Sequence, residues 1–278
     1  MPGTGAASGS YRTAINIERC KLEQVAFSGG ALDVYKCFDQ IVRMLLYTLL
    51  RLAGMPEQIV SAYERFLEEL AIHNTVAGGI GQGYHKPCSI PQGCPFSMMG
   101  TAVMMRPWLK VMETLGAEGR ILADDIFLMA TGETHLDTFV RAYEATHEYV
   151  QDLGGKLVAK KSMTFSSCKH ARKWLDQTQW RRIGTRIPVK GSFRDLGTHL
   201  CTNRRKDGTT YANRLHRATK TVRKVKYLPV GTSKKCHIIR TKILPMGLYG
   251  CESSHVNEVA MRHFRSAIAQ TITHGTKS

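Results

Sequence analysis

Two adjacent aspartates, Asp124 and Asp125, interrupt a run of apolar residues that favour β-strands in the segment ILADDIFLM. Charged side chains are normally excluded from a strand that packs into a core, and two neighbouring carboxylates repel each other. The pattern predicts a β-hairpin with strands at Ile121–Ala123 and Ile126–Met129 and both carboxylates near its turn. A plain solvent-exposed turn is the alternative interpretation.

A third carboxylate, Asp33, ends another predicted strand. The segment SGGALDV, residues 28–34, is interpreted as a glycine-led turn that leads into this strand. Three carboxylates at strand ends offer the oxygen ligands that Mg²⁺ prefers, together with substrate phosphates. Two such ions activate a hydroxyl and stabilise a pyrophosphate leaving group during in-line displacement. We therefore expect a site for two Mg²⁺ ions, with Mn²⁺ as a substitute.

Positive charge is concentrated in one third of the chain. The whole sequence has a formal net charge of +17. Residues 156–245 contain 24 Lys and Arg against 3 Asp and Glu, whereas residues 1–155 contain 12 against 17. A chain that is basic only for solubility would spread its charge more evenly. The distribution favours a polyanionic partner such as nucleic acid.

Apolar periodicity predicts a mixed α+β chain, with antiparallel strands and flanking helices followed by a basic helical C-terminal region. The predicted helices are Phe38–Leu52, Pro56–Ala71, Pro95–Leu115, Thr134–Leu153, Tyr211–Lys226 and Lys234–Tyr249. A glycine-rich hairpin is expected at His73–Tyr84. Two or three short strands are expected between Lys156 and Leu200.

The eight cysteines form no CxxC pair and no zinc-finger spacing, which indicates reduced thiols in an intracellular protein of the nucleus or cytoplasm. The first residues, MPGTGAASGSYRT, lack the apolar segment of a signal peptide. We expect about ten of them to be disordered. No apolar stretch is long enough to cross a bilayer, so no membrane partner is expected.

Five segments, taken in order, resemble the motif series of reverse transcriptases, in particular those of non-LTR (LINE-type) retrotransposons. The matching residues are Asp33 and Phe38 in LDVYKCFDQI, Gln92, Gly93 and Ser97 in IPQGCPFSMM, Asp124 and Asp125 in LADDIFL, Lys161 in LGGKLVAKKSMTFSS, and Leu196 and Gly197 in FRDLGTHL. A further segment, ILPMGLYGCES, resembles part of the family's thumb. Leu122 stands where the family usually has an aromatic residue, and Val158 stands where it commonly has Asn.

The resemblance implies a right-hand polymerase fold. A palm, an antiparallel sheet with flanking helices, would occupy residues 28–200, and a basic helical thumb residues 201–278. Residues 1–27 would be a disordered start and a remnant of the fingers, most of which this sequence does not supply. The implied activity is RNA-directed DNA polymerase, a nucleotidyltransferase whose partners are an RNA template, a DNA primer and dNTP.

The same resemblance assigns roles to individual residues. Asp33 and Asp124 would ligate both catalytic metal ions, and Asp125 would assist. The residues expected to bind nucleotide and template are Phe38, Gln92, Gly93, Ser97 and Lys161. Phe38 would exclude a ribose 2′-hydroxyl, and Lys161 would contact phosphates or protonate pyrophosphate. The segment with Leu196 and Gly197 would grip the primer.

Basic residues of the predicted thumb are expected to contact the nucleic-acid backbone without reading bases. These residues are Arg204, Arg205, Lys206, Arg214, Arg217, Lys220 and Lys224. The last four recur every three or four residues, which places them on one face of a helix. A merely solvated charged face is the alternative interpretation.

Three other functions remain open at the level of sequence. A catalytically inactive retroelement remnant would still bind RNA or a nucleic-acid duplex through residues 156–245. An RNA-templated RNA polymerase would share the carboxylate geometry, although the aromatic Phe38 argues against it. The motif matches could also be coincidental in an unrelated basic α+β protein.

Overall fold

The structure, a computed structural model, describes residues 5–202 and 208–273 and divides into two compact units. The central unit is Val25–Val189. The terminal unit combines the residues up to Gln24 with those from Lys190 onward. It begins with helix α1, Ala6–Leu22. The chain therefore leaves the terminal unit after this helix and returns to it after the central unit.

A four-stranded antiparallel sheet forms the centre of the central unit. Its strands are β1 (Phe27–Asp33), β4 (Glu118–Leu122), β5 (Asp125–Thr131) and β6 (Met163–Ser166), in the order β4-β5-β1-β6. The surrounding helices are α2 (Arg43–Leu52), α3 (Glu57–Glu69), α4 (Pro95–Leu115), α5 (His135–Asp152) and α6 (Lys169–Gln177). A 3₁₀-helix covers Cys37–Asp39, and a small hairpin pairs β2 (Thr75–Val76) with β3 (Gly79–Ile80).

One face of the sheet packs against α4 and α5, because alternate strand residues such as Leu32, Ile126 and Leu128 are apolar and buried there. Trp108 of α4 is fully buried in this core and its indole Nε1–H donates a hydrogen bond to Thr146 Oγ1 of α5 at 2.9 Å. The intervening strand residues, including Asp33 and Asp125, face the opposite side of the sheet.

Two glycines in the middle of β1 allow its neighbours to approach closely. A Cβ atom at Gly29 would lie 2.3 Å from the carbonyl oxygen of Leu128 and 2.5 Å from the Phe165 ring. At Gly30 it would lie 3.2 Å from the Phe139 ring of α5. Residues 28–30 therefore belong to the strand, and the predicted glycine-led turn at this position is wrong.

The terminal unit packs a hairpin and helices into a second core. It contains β7 (Ser192–Asp195), β8 (Thr198–Cys201), α7 (Thr209–Lys226), α8 (Thr232–Ile238), a π-helical turn (Ile239–Ile243), α9 (Leu244–Leu248) and α10 (Glu258–Thr273). Leu215, Val222, Ile243 and Phe264 are among the buried residues of this core. The basic helices expected in this region are present, and α10 was not predicted.

A helix covers Ala6–Leu22, so residues 6–10 are helical although about ten disordered residues were expected at the start of the chain. Its buried face consists of Ser10, Thr13, Ile17 and Cys20, which recur every three or four residues. Ser10 Oγ donates a hydrogen bond to the Asp195 carbonyl oxygen, at 3.2 Å. Three of the four buried residues are small or weakly apolar, so the helix has little apolar periodicity in sequence.

The boundary between the units also differs from the predicted one. The terminal unit begins again at Lys190 and includes the β7–β8 hairpin, whereas the sequence assigned residues up to 200 to the palm. Leu196 and Gly197 therefore lie in a different unit from the three aspartates. Within residues 5–202 and 208–273, no helix is long and apolar enough to cross a membrane.

The close approach at Gly29 gives a test of the sheet. Gly29→Ala is expected to lower the free energy of unfolding by about 3 kcal/mol, at the upper end of typical overpacking effects, because backbone and an aromatic ring occupy the new methyl position. Denaturant-induced unfolding measures the change. Gly79→Ala is the control, since its Cβ would meet its nearest atom at an ordinary 3.5 Å. Equal stability of the two variants would contradict the packing described for β1.

Candidate active site

Strand register brings two of the predicted carboxylates together. Asp33, the last residue of β1, pairs with Asp125, the first residue of β5. Directly opposite residues of antiparallel strands have Cβ atoms about 4.5–5.5 Å apart and share one face of the sheet. Leu122 pairs with Asp125 from the other side, so Leu122, Asp125 and Asp33 form a row across three strands.

The third carboxylate lies in the turn beside this row. Ala123 and Asp124 form the two-residue connection between β4 and β5, and Ala123 has a positive φ of 56°. A positive φ at the first turn residue is typical of the tight turns that join twisted antiparallel strands. The Asp124 carbonyl oxygen accepts a hydrogen bond from the Val34 backbone N–H at 3.2 Å, which ties the turn to the end of β1.

The ionisation of the Cys37 thiol is affected by the charges of this cluster. Burial, followed by the negative charges of Asp124 and Asp33, raises the pKa of its thiol to about 11. Cys37 Sγ lies 3.9 Å from the Ala123 carbonyl oxygen. Both carboxylates therefore act on one half-buried thiol near the hairpin turn. Sequence spacing could not reveal this cysteine, because nothing in it relates Cys37 to the aspartates.

The segment around Lys161 holds Asp33 in place. The backbone N–H of Asp33 donates a hydrogen bond to Ser162 Oγ at 3.3 Å, and the N–H of Val158 donates one to the Asp33 carbonyl oxygen at 2.9 Å. Lys161 Nζ lies 3.3 Å from Asp33 Oδ2. The Lys161 side chain is 68% exposed against 17% for Asp33, so the ammonium group can leave this ion pair for an arriving phosphate.

The donor atoms at this cluster suit a hard cation. Asp33 Oδ2 is buried, and its described partner is the Lys161 ammonium group of the ion pair, without a hydrogen bond. Carboxylate oxygens of this kind are the ligands that Mg²⁺ prefers, usually one or two per ion together with water and substrate phosphates. In the described ranges, no three His, Cys, Asp or Glu side chains are arranged to hold a metal ion by themselves.

The predicted nucleotide-binding residues lie on two linked segments of the central unit. Gln92 and Gly93 form an exposed turn closed by a hydrogen bond from Cys94 N–H to the Pro91 carbonyl oxygen, at 3.2 Å. Gly93 has a φ of 89°, which favours glycine at this position. Ser97 is buried, and its hydroxyl donates to the same Pro91 carbonyl oxygen at 2.7 Å. Ser97 therefore fixes the turn and does not line an open surface.

Phe38 is half-buried on the 3₁₀-helix and packs against the core formed by α2, α3 and the start of α4. Its carbonyl oxygen accepts a hydrogen bond from the Ile90 backbone N–H at 2.9 Å. Ile90 immediately precedes the turn that carries Gln92. The first two motifs are thus joined by main-chain hydrogen bonding, although they are far apart in sequence.

In the terminal unit, the predicted primer-grip residues form the turn between β7 and β8. Leu196 and Gly197 both have positive φ values, 44° and 83°. Arg214 of α7 donates hydrogen bonds to the carbonyl oxygens of Gly197 and Tyr249, and the guanidinium group lies 5.0 Å from the Tyr249 ring centre. The Tyr249 hydroxyl donates to the Leu196 carbonyl oxygen at 2.9 Å. Arg214 and Tyr249 therefore hold this turn against α7.

The basic face of α7 is smaller than the sequence indicated. Arg217, Lys220 and Lys224 are exposed, whereas Arg214 is half-buried and its guanidinium is used within the protein. Arg204, Arg205 and Lys206 lie outside the described residues. The helix segment Thr209–Lys226 contains no acidic residue, so the three exposed cations have no anionic neighbour on their own helix.

The fold is similar to that of telomerase, a polymerase related to reverse transcriptases. The structure matches telomerase from Candida albicans, solved with a TWJ fragment of telomeric RNA, over 97% of this chain and 46% of that one, with a TM-score of 0.55 and 10% identity. Telomerase from Candida tropicalis, solved with the same kind of RNA fragment, matches over 96% and 50% of the two chains, with a TM-score of 0.51 and 10% identity.

These similarities show an α+β fold with antiparallel sheets and flanking helices, as in a polymerase of the reverse-transcriptase type. The chain spans about half the length of the telomerase chains it matches. No protein-family model and no curated protein sequence matches the chain.

Arg214 and Arg217 are expected to respond differently to truncation. Arg214→Ala removes hydrogen bonds to two carbonyl oxygens and should lower the free energy of unfolding by about 2 kcal/mol. Arg217→Ala should leave stability nearly unchanged, because the Arg217 side chain is exposed. Denaturant-induced unfolding of both variants measures the difference. Equal destabilisation by both variants would contradict the structural role of Arg214.

Proposed function

We propose that this chain is the polymerase portion of a reverse transcriptase of the non-LTR retrotransposon type, which copies RNA into DNA by two-metal nucleotidyl transfer. The proposal is carried by the register that sets Asp33 beside Asp125, with Asp124 in the adjoining turn. The order of the five motifs and the telomerase-like fold support it. The chain spans about half of each telomerase chain. We therefore also propose that this half is active without further segments.

The three aspartates would act at the reacting phosphate. Asp33 and Asp124 would hold two Mg²⁺ ions, or Mn²⁺ in their place, and Asp125 would assist from the next position of β5. Bound there, the two ions supply activation of the primer 3′-hydroxyl and charge stabilisation of the leaving pyrophosphate. The carboxylates would fix where this chemistry occurs, and the strand register that pairs Asp33 with Asp125 supports this.

Other side chains of the central unit would select and orient the substrates. The exposed Gln92–Gly93 turn would contact the nucleotide and the template, and Ser97 would keep that turn in shape. Phe38 would exclude a ribose 2′-hydroxyl and so favour dNTP. Lys161 would leave Asp33 to contact the phosphates of the nucleotide or to protonate pyrophosphate. The surface with Arg217, Lys220 and Lys224 would bind the backbone of the RNA template and DNA primer.

Binding of RNA without catalysis is the second candidate function. It is favoured by Leu122, which lies in the row with Asp125 and Asp33 at the position where the family usually has an aromatic side chain. An aliphatic residue there would support a primer end less well than a ring that can stack on a base. The basic segment 156–245 would be retained in both functions, because it needs no metal site.

Primer extension tests the proposal. The intact chain, supplied with Mg²⁺, an RNA template, a DNA primer and dNTP, should extend the primer. Asp124→Asn should reduce the rate at least about a hundredfold, because it removes charge at the reacting phosphate. Asp176→Asn is the matched control, since Asp176 is an exposed aspartate on α6, and it should extend normally.

Two results would count against reverse transcription. Absence of extension by the unaltered chain, together with tight and salt-sensitive RNA binding that Asp124→Asn leaves unchanged, would favour the binding function. Extension with ribonucleotides as efficient as that with dNTP would indicate an RNA-templated RNA polymerase and would contradict the role given to Phe38.

A further inference from the structure

An open pocket of about 800 Å³ lies beside the carboxylate cluster in the central unit. Its walls are the segment Lys156–Lys160, parts of the segment from Ile183 to Pro188, and the side chain of Tyr35. This volume is within the range of about 300–1,000 Å³ that is usual for small-molecule sites. None of the functions assigned above uses this pocket.

Three cations face the pocket without compensating acids. Lys156, Lys160 and Arg186 line it and are exposed, and its described lining residues include no Asp or Glu. Within the part of the chain that the structure describes, none of the three forms an ion pair. Arg182 differs, because its guanidinium lies 2.9 Å from Glu148 and 3.5 Å from Glu144. The uncompensated charge favours an anion in the pocket and not merely a solvated surface.

The rest of the lining suits a ligand that also has an apolar part. Tyr35 is 44% exposed, and its backbone N–H donates a hydrogen bond to the Lys156 carbonyl oxygen at 2.7 Å, which ties the Tyr35 backbone to the pocket wall. Leu157 is buried beneath, with Ile183 and Pro188 as further apolar lining. Phosphates would contact the cations, and a base or sugar would have the aromatic ring as a neighbour.

Backbone contacts join the wall of the pocket to the strand end that carries Asp33. Val34, the residue after Asp33, forms a bridge with Leu157, and the Val158 N–H donates to the Asp33 carbonyl oxygen at 2.9 Å. One strand end therefore carries Asp33 and, two residues later, Tyr35. An anion in the pocket would sit next to the place where phosphate chemistry is proposed.

We propose that this pocket binds a polyphosphate anion, either the triphosphate of a free nucleotide before it reaches the aspartates or pyrophosphate after it is released. Binding by the pocket does not depend on catalysis, whereas its place in the reaction rests on the proposed function. A nucleic-acid strand is the less suitable occupant. Its phosphates are spread along a backbone, whereas these cations converge on one concavity.

Calorimetric titration tests this binding in EDTA and without nucleic acid, using pyrophosphate and, separately, a deoxynucleoside triphosphate. The intact chain should bind at least one of them saturably. The triple variant Lys156→Gln, Lys160→Gln and Arg186→Gln should weaken binding about tenfold or more, because it removes charge-assisted contacts. The matched control removes three exposed cations elsewhere in the same unit, Lys110→Gln, Lys169→Gln and Lys173→Gln, and should bind as before.

Tyr35→Ala distinguishes the two sources of polyphosphate. A loss of affinity for the triphosphate but not for pyrophosphate would identify a free nucleotide as the ligand. Equal binding of both anions, unaffected by Tyr35→Ala, would show that the pocket recognises the phosphate chain alone and would support pyrophosphate as the ligand.

Absence of saturable binding, or equal weakening by the control variant, would overturn the proposal that this pocket binds a polyphosphate. A single-stranded oligonucleotide that displaces pyrophosphate and requires the same three cations would also overturn it. Asp124→Asn separates this proposal from the previous one, because it should abolish primer extension and leave anion binding in EDTA intact.

Discussion

The antiparallel register between β1 and β5 is the constraint on which the rest of the site depends. Gly29 permits it, because any side chain there would collide with the Leu128 carbonyl group and the Phe165 ring. A slip of one residue would turn Asp33 to the buried face of the sheet, among the apolar residues that contact α4 and α5. Close packing at a glycine therefore decides whether Asp33 faces Asp125 and whether the two carboxylates can act together.

Electrostatics then divides the surface of the central unit into neighbouring regions of opposite sign. Desolvation, followed by the negative charges of Asp124 and Asp33, raises the pKa of the half-buried Cys37 thiol to about 11. The segment that follows Leu157 brings Lys161 Nζ within 3.3 Å of Asp33 Oδ2 and places Lys160 in the wall of the pocket. Phosphate chemistry needs both signs, because cations must be held where an anionic substrate arrives. In the proposed reaction, the positive pocket and the adjoining negative cluster would together meet that requirement.

The elements predicted correctly from the sequence are those that a pattern within one short segment indicates. The hairpin around Asp124 and the helix Pro95–Leu115 follow from apolar periodicity, and both are present. Helix α1 was missed because its buried face is mostly small and polar, and α6 lies where only strands were expected. Arg214 was grouped with the solvent-exposed cations, because a helical repeat cannot show that carbonyl groups distant in sequence will surround one member.

Localised hydroxyl-radical cleavage tests most directly whether Asp33 and Asp124 share one metal site. Fe²⁺ replaces Mg²⁺ in the intact chain, with ascorbate and dNTP present, and mass spectrometry maps the backbone cuts. We expect cuts near both aspartates, which should be lost together in Asp33→Asn and persist in Asp176→Asn. Cleavage near only one aspartate, or cleavage that survives Asp33→Asn, would contradict a shared site.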